Sequence, residues 1–209
     1  CALPISLPFP VARLRGMLAV LLEIAEPGAL SAEGKLRVNR IKAAEVAASS
    51  NPAWWRWIGA EELREFSEKL RGFKGLAPVA PPPSLSATLR PYQQHGLEWL
   101  QFLREYDLAG ILADDMGLGK TVQALAHLLF EKQAGRADLP SLVIAPTSLM
   151  SNWKQEAARF APSLRTLISH GLERKENFSK FQEHDLIVTS YALLPRDEAV
   201  LLDQKYHCV

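Results

Sequence analysis

From Leu108 to the C-terminus, short apolar runs alternate with stretches of helical periodicity, and no other feature restricts the fold so far. "LAGILA", "SLVIAP", "LRTLIS" and "DLIVTSY" each read as one buried strand, and "KYHCV" as the start of another. Between them "TVQALAHLLFEKQAG", closing at Gly135, "SLMSNWKQEAARF" and "ERKENFSKFQEH" read as helices. A parallel neighbour needs a crossover of about a dozen residues or more, so helices of this length between strands imply a parallel ladder. The expected fold class is α/β, a doubly wound parallel sheet over residues 88–209.

The preceding sequence follows other rules. "GLAPVAPPPSLSA" carries Pro78, Pro81, Pro82 and Pro83, which reads as a stiff, extended linker over residues 76–87. Residues 1–75 read as a small, mostly helical accessory region. "GMLAVLLEIA" (Gly16–Ala25) reads as a core helix, and Ser31 as the N-cap of the next. "NPAWWRWIG" is either a base-stacking platform or a half-buried strand edge, and the bulk of tryptophan as an apolar filler favours the second. "GAEELREFSEKLRGF" places Leu63, Phe66, Leu70 and Phe73 on one helical face. After the linker, "LRPYQQHGLEWLQFLREY" opens a helix with Pro91 in its first turn, and puts Tyr92, Gly96, Trp99 and Leu103 on one side.

Charge narrows the partners. The net charge is +1 over 209 residues, divided as 11 basic against 8 acidic groups in residues 1–85 and 13 against 15 thereafter. Any contact with a polyanion is therefore local rather than a global field. Cys1 and Cys208 form no disulfide framework and no metal quartet, and Cys208 reads as a buried strand residue. No stretch approaches the ~20 apolar residues of a membrane span. A chain that opens on Cys1, without a leader-like segment, reads as a cytoplasmic piece of something longer.

The residues that carry chemistry lie in "DDMGLGKT", Asp114–Thr121. A phosphate cradle needs a strand end, a turn whose N–H groups face inward, and a helix N-terminus. "GILADD" is the expected strand end, Gly117 and Gly119 free the backbone, and the helix starts at about Thr121. Lys120 supplies a cation for β- and γ-phosphates, and Thr121 a hydroxyl for Mg²⁺. Asp114 stands where the usual template has its first glycine. The three residues that follow the turn matter more, because they carry the close approach, the charge and the metal contact. The loop is read as an ATP site.

With that loop in place, "LRPYQQHGLEWL" followed by "GILADDMGLGKTVQALA" resembles the Swi/Snf family of helicase-like, DNA-translocating ATPases of helicase superfamily two. "LVIAPTSLMSNWKQEAARFAP" and "DLIVTSYALL" resemble the family's next two motifs, so the resemblance spans about residues 88–209. It implies a RecA-like first motor lobe, with Asp115, Met116, Gly117, Leu118, Gly119, Lys120 and Thr121 as the nucleotide loop. Lys120 and Thr121 would be the catalytic groups and Gln93 the reader of adenine. It also implies backbone contacts to double-stranded DNA through Pro146, Thr147, Ser148, Thr189, Ser190 and Tyr191. Residues 1–85 resemble, more weakly, the accessory segment before the motor of bacterial members, which points to a bacterial nucleoid setting.

ATP hydrolysis also needs an acidic motif after a buried strand. "RDEAV" (Arg196–Val200) contains Asp-Glu-Ala but follows Leu194-Pro195-Arg196, which is no such strand. In the family the box follows a strand like "YHCV", so the lobe reads as incomplete and this chain by itself as unable to hydrolyse ATP. A superfamily-two RNA helicase and a non-hydrolysing docking fragment are the alternative readings.

Overall fold

The computed structural model describes residues 25–30, 36–38, 61–171 and 173–209, together with positions 15, 41 and 42. The chain divides into two compact units, residues 1–75 and 76–209.

In the first unit Ala25–Leu30 (β1) and Leu36–Val38 (β2) pair antiparallel, with Leu30 opposite Leu36. This corrects the helix expected after Ser31 over Leu36–Val38; Ser31 itself lies outside the described residues. Pro27 and Gly28 are poor helix residues, which suits the strand that contains them. Glu61–Arg71 (α1) is the helix read from its apolar spacing; Phe66 is buried, while Phe73 beyond the helix end is exposed. The tryptophan cluster, and most of Gly16–Ala25, lie outside the described residues.

The second unit runs Pro91–Glu105 (α2), Lys120–Gln133 (α3), Ser141–Ala145 (β3), Met150–Phe160 (α4), Thr166–Ile168 (β4), Arg174–Asn177 (α5), Leu186–Ser190 (β5) and Leu194–Asp203 (α6). The sheet order is β3-β5-β4 and both pairings are parallel, with Ser141 and Thr166 each opposite Leu186. Successive strand residues point to opposite faces, and the core divides accordingly. Leu186 and Val188 join Leu97, Leu125, Leu129 and Ala157 from α2, α3 and α4. Ile187 joins Leu142, Phe181 and Leu201 on the other side. Helical layers on both faces make the sheet doubly wound, as the alternation requires.

The proline-rich residues 76–87 are no free spacer. Leu85 is buried in the main core, Ser86 N donates to Phe160 O at 2.8 Å, and Gln94 Nε2 donates to Val79 O. "ERKENFSKFQEH" is also shorter as a helix than its pattern implies. After α5 the chain tightens into a 3-10 segment, Phe178–Glu183. Residues three apart eclipse one another in that geometry. Phe178 and Phe181 therefore meet edge to face, 5.6 Å between centroids, both packed in the second core cluster.

Two readings at the sheet margin are corrected. "LAGILA" is not a strand: residues 108–113 are irregular and Ile111 is 87% exposed. A strand exists only with a hydrogen-bonded neighbour, and among the described residues none forms a ladder with this run. Besides β5, β3 bonds to the last segment of the chain, through Leu142 N→Cys208 O at 2.8 Å, and His207 N→Pro140 O at 2.9 Å adds a bond just before the strand. These bonds do not make "KYHCV" a strand, and Cys208 is exposed rather than buried. No described helix is long and apolar enough to cross a membrane.

Charged groups brace α3. Asp185, just before β5, accepts from Lys132 Nζ at 2.6 Å and from Arg165 N at 2.7 Å. Glu131 is fully buried and held by Arg136 at 2.6 Å and Arg104 at 3.2 Å, with His207 at 3.7 Å. One turn earlier, His127 is buried and its Nδ1 accepts from Gln101 Nε2 at 2.9 Å. Burial pushes the His127 imidazole down to about 4, against a smaller opposing pull from Glu131.

A depressed histidine has a definite consequence for stability. The unfolded chain takes up a proton below about pH 6.5 whereas the folded chain does not, so the contribution is complete above that pH. It is lost as pH falls from about 6.5 to about 4, by ~3 kcal/mol in all. Urea denaturation at pH 7.5 and 4.5 should show this loss, and His127→Gln should shrink it. An unchanged pH dependence in the variant would exclude His127 as the source.

Candidate functional site

The loop between residue 113 and α3 is shaped by two left-handed glycines, Gly117 at φ +84° and Gly119 at φ +80°. Gly119 is the N-cap of α3, and no side chain caps the helix. The first-turn N–H groups, which a helix cannot satisfy itself, are thus left to an external acceptor. Gly119 cannot be replaced cheaply: its φ disfavours side chains, and an added Cβ would lie 2.5 Å from Gln93 Nε2.

Lys120 stands at the first position of α3 and folds back over the loop. Its Nζ donates to Asp114 O at 2.5 Å and to Asp115 O at 3.0 Å. These are neutral acceptors that an anionic phosphate oxygen can outcompete for the ammonium. Thr121 is half-buried beside it, and Asp115, Met116, Gly117 and Leu118 are exposed, Met116 at 96%. Among the described residues no group of three or more His, Cys, Asp or Glu is placed to hold a metal ion.

Helix α2 supplies the wall of the loop. Its buried residues are Gln93, Gly96 and Leu97, so the buried stripe begins one residue after the predicted Tyr92, which is exposed. Gln93 is committed at both ends: Oε1 accepts from Arg90 N at 2.9 Å and Nε2 donates to Leu118 O at 3.0 Å. Tyr92 Oη donates to the same carbonyl at 3.1 Å. The structure thus brings Gln93 to the loop with its amide facing Leu118. From α3, Gln123 reaches back to Asp114, Nε2 to Oδ2 at 2.9 Å. Sequence reading passed over Tyr92 as a loop contact and Gln123 altogether. The signal for the second was a glutamine inside the apolar run "TVQALAHLLF".

The residues predicted to meet DNA divide into two sets. Pro146, Thr147 and Ser148 follow the end of β3 and Tyr191 follows β5, and all four are exposed. Thr189 and Ser190 are each 1% exposed, so their side chains lie inside the fold. They are the last residues of the central strand, covered on both faces, and the Thr189 hydroxyl donates to Ser169 O at 3.3 Å. "RDEAV" lies in α6, as its lack of a preceding strand implies. Asp197 is buried and paired with Arg174 at 2.9 Å, so its carboxylate is committed within the fold.

A family model described as the SNF2-related domain matches residues 92–209. YwqA of Bacillus subtilis is 43% identical over 141 residues, covering 66% of this chain and 15% of that protein. The helicase Swr1 of Schizosaccharomyces pombe is 44% identical over 127 residues, covering 57% of this chain and 10% of that one. Among solved structures, the Sulfolobus solfataricus SWI2/SNF2 ATPase core in complex with duplex DNA matches at TM-score 0.54 and 40% identity, over 59% of this chain and 25% of that chain.

Proposed function

The chain belongs to the SNF2-related family, and from that premise we propose that it is the ATP-binding part of a duplex-DNA translocase motor. The observation that carries the reading is Lys120 at the uncapped start of α3, behind two left-handed glycines. Those residues fit a triphosphate: Lys120 would meet the β- and γ-phosphates and the α3 amides would receive their oxygens. Thr121 would offer its hydroxyl to Mg²⁺, which would arrive with the nucleotide and neutralise charge developing on the γ-phosphoryl group. Gln93 would meet adenine by exchanging its bond to Leu118 O for the base.

Exposed Pro146–Ser148 and Tyr191 would receive the duplex backbone, and the likeness to a core solved with duplex DNA supports duplex DNA as the ligand. Backbone contacts position a duplex without reading its sequence. Neither the RNA-helicase nor the docking alternative is favoured by these similarities.

Two measurements on the complete protein test the proposal. ATP turnover should rise with duplex DNA and not with RNA. Duplex affinity should fall steeply with added salt and vary little with base sequence. Stimulation by RNA, or a sharp preference for one duplex sequence at fixed salt, would contradict it.

A further inference from the structure

Gln123 sits on two local costs at once. It is fully buried, and its Oε1 has no hydrogen-bond partner. An unpaired buried carbonyl of this kind is unfavourable. Opposite it stands Gly96, in the middle of α2, where glycine is a poor helix residue. The two are linked, because any Cβ at Gly96 would overlap Gln123 Oε1. A chain that needed only packing here would have an alanine facing a leucine. Local costs that coincide in this way mark a functional constraint.

The orientation of the amide shows what is gained. Gln123 Nε2 holds Asp114 Oδ2 at 2.9 Å, while the carbonyl of the same aspartate holds Lys120 Nζ at 2.5 Å. Asp114 therefore turns its backbone oxygen to the lysine and its carboxylate Oδ2 to Gln123. Without that hold, the carboxylate of a residue whose carbonyl already meets the lysine would be free to compete with phosphate for the ammonium, and an ion pair is the stronger partner.

We propose that Gln123 is a positioning residue that keeps the Asp114 carboxylate away from Lys120, leaving the lysine free for phosphate. The inference rests on reading the loop as a phosphate cradle. Gly96 belongs to the same device, since it makes room for the amide in the orientation that faces Asp114.

The test is the affinity of the protein for a fluorescent ATP analogue with Mg²⁺, measured beside thermal melting. Gln123→Leu should weaken binding about tenfold without lowering the melting temperature, because it also removes the orphaned oxygen. Adding Asp114→Asn to that variant should restore affinity to within about threefold, since the competing charge is gone. Unchanged affinity in Gln123→Leu, or no rescue in the double variant, overturns the proposal. Should Gln123→Leu fail to fold, Asp114→Ala decides. Near-normal affinity supports the sequestering role, and a tenfold loss overturns it by showing that Asp114 itself is needed. Lys120→Ala is the separate control. If it binds the analogue as tightly as the parent, the cradle reading fails, whatever Gln123 does.

Discussion

Lys120→Ala is expected to lower ATP turnover by the complete protein about a thousandfold, the usual scale for removing one preorganised group that meets developing charge. Lys120 is held in place before any nucleotide arrives, on two carbonyls of its own loop. That arrangement fixes the ammonium at the helix start with no carboxylate to detach from. Phosphoryl transfer depends mostly on positioning and charge stabilisation, so a cation already in position carries much of the effect. Steady-state phosphate release, with saturating duplex DNA, is the measurement. Activity within tenfold of the parent would remove Lys120 from the chemistry. Thermal melting should be nearly unchanged, because the ammonium's hydrogen bonds among the described residues go to its own loop.

The largest expected loss of stability comes from Phe181→Ala. Phe181 is fully buried and is the largest such side chain among the described residues. Its cluster is the smaller of the two, built on Leu142, Ile187 and Leu201. Removing the ring leaves a cavity that so few neighbours cannot refill, which costs about 3–5 kcal/mol. That is a large share of the roughly 5–15 kcal/mol that stabilises a typical domain. A fall of about 10–20 °C in melting temperature is expected for a unit of this size. A change of only a few degrees would mean that the 3-10 segment is not anchored through this ring.

The same cluster shows what sequence can and cannot disclose. "SLVIA" and "LIVTS" were legible as strands because both of their faces are covered, so the apolar run is continuous. The run at 108–113 has similar composition and forms no ladder. Whether a backbone finds a partner is decided elsewhere in the chain, and composition does not record it. The burial of Thr189 and Ser190 was hidden for a related reason: a hydroxyl at a strand end does not disclose its depth, and only the strand order shows that β5 is central. Gly117, Gly119 and Lys120 were legible because their chemistry is local. Gln123 was not, because the packing of α2 on α3 brings Gly96 to it and the fold of the loop brings Asp114.

The strand order also bears on how such a chain emerges from the ribosome. β5, the centre of the sheet, is the last of the three strands in sequence, and β3 and β4 pair with it and not with each other. After Ala145 is synthesised, roughly 45 further residues must follow before Ser190 is joined, about 2–9 s at ordinary elongation rates. β3 waits through that whole interval, and β4 through about its second half, without their common neighbour. Vectorial synthesis therefore presents the folding machinery with a nascent chain whose flanks precede its keystone, and any holdase that shields β3 must release it on that timescale.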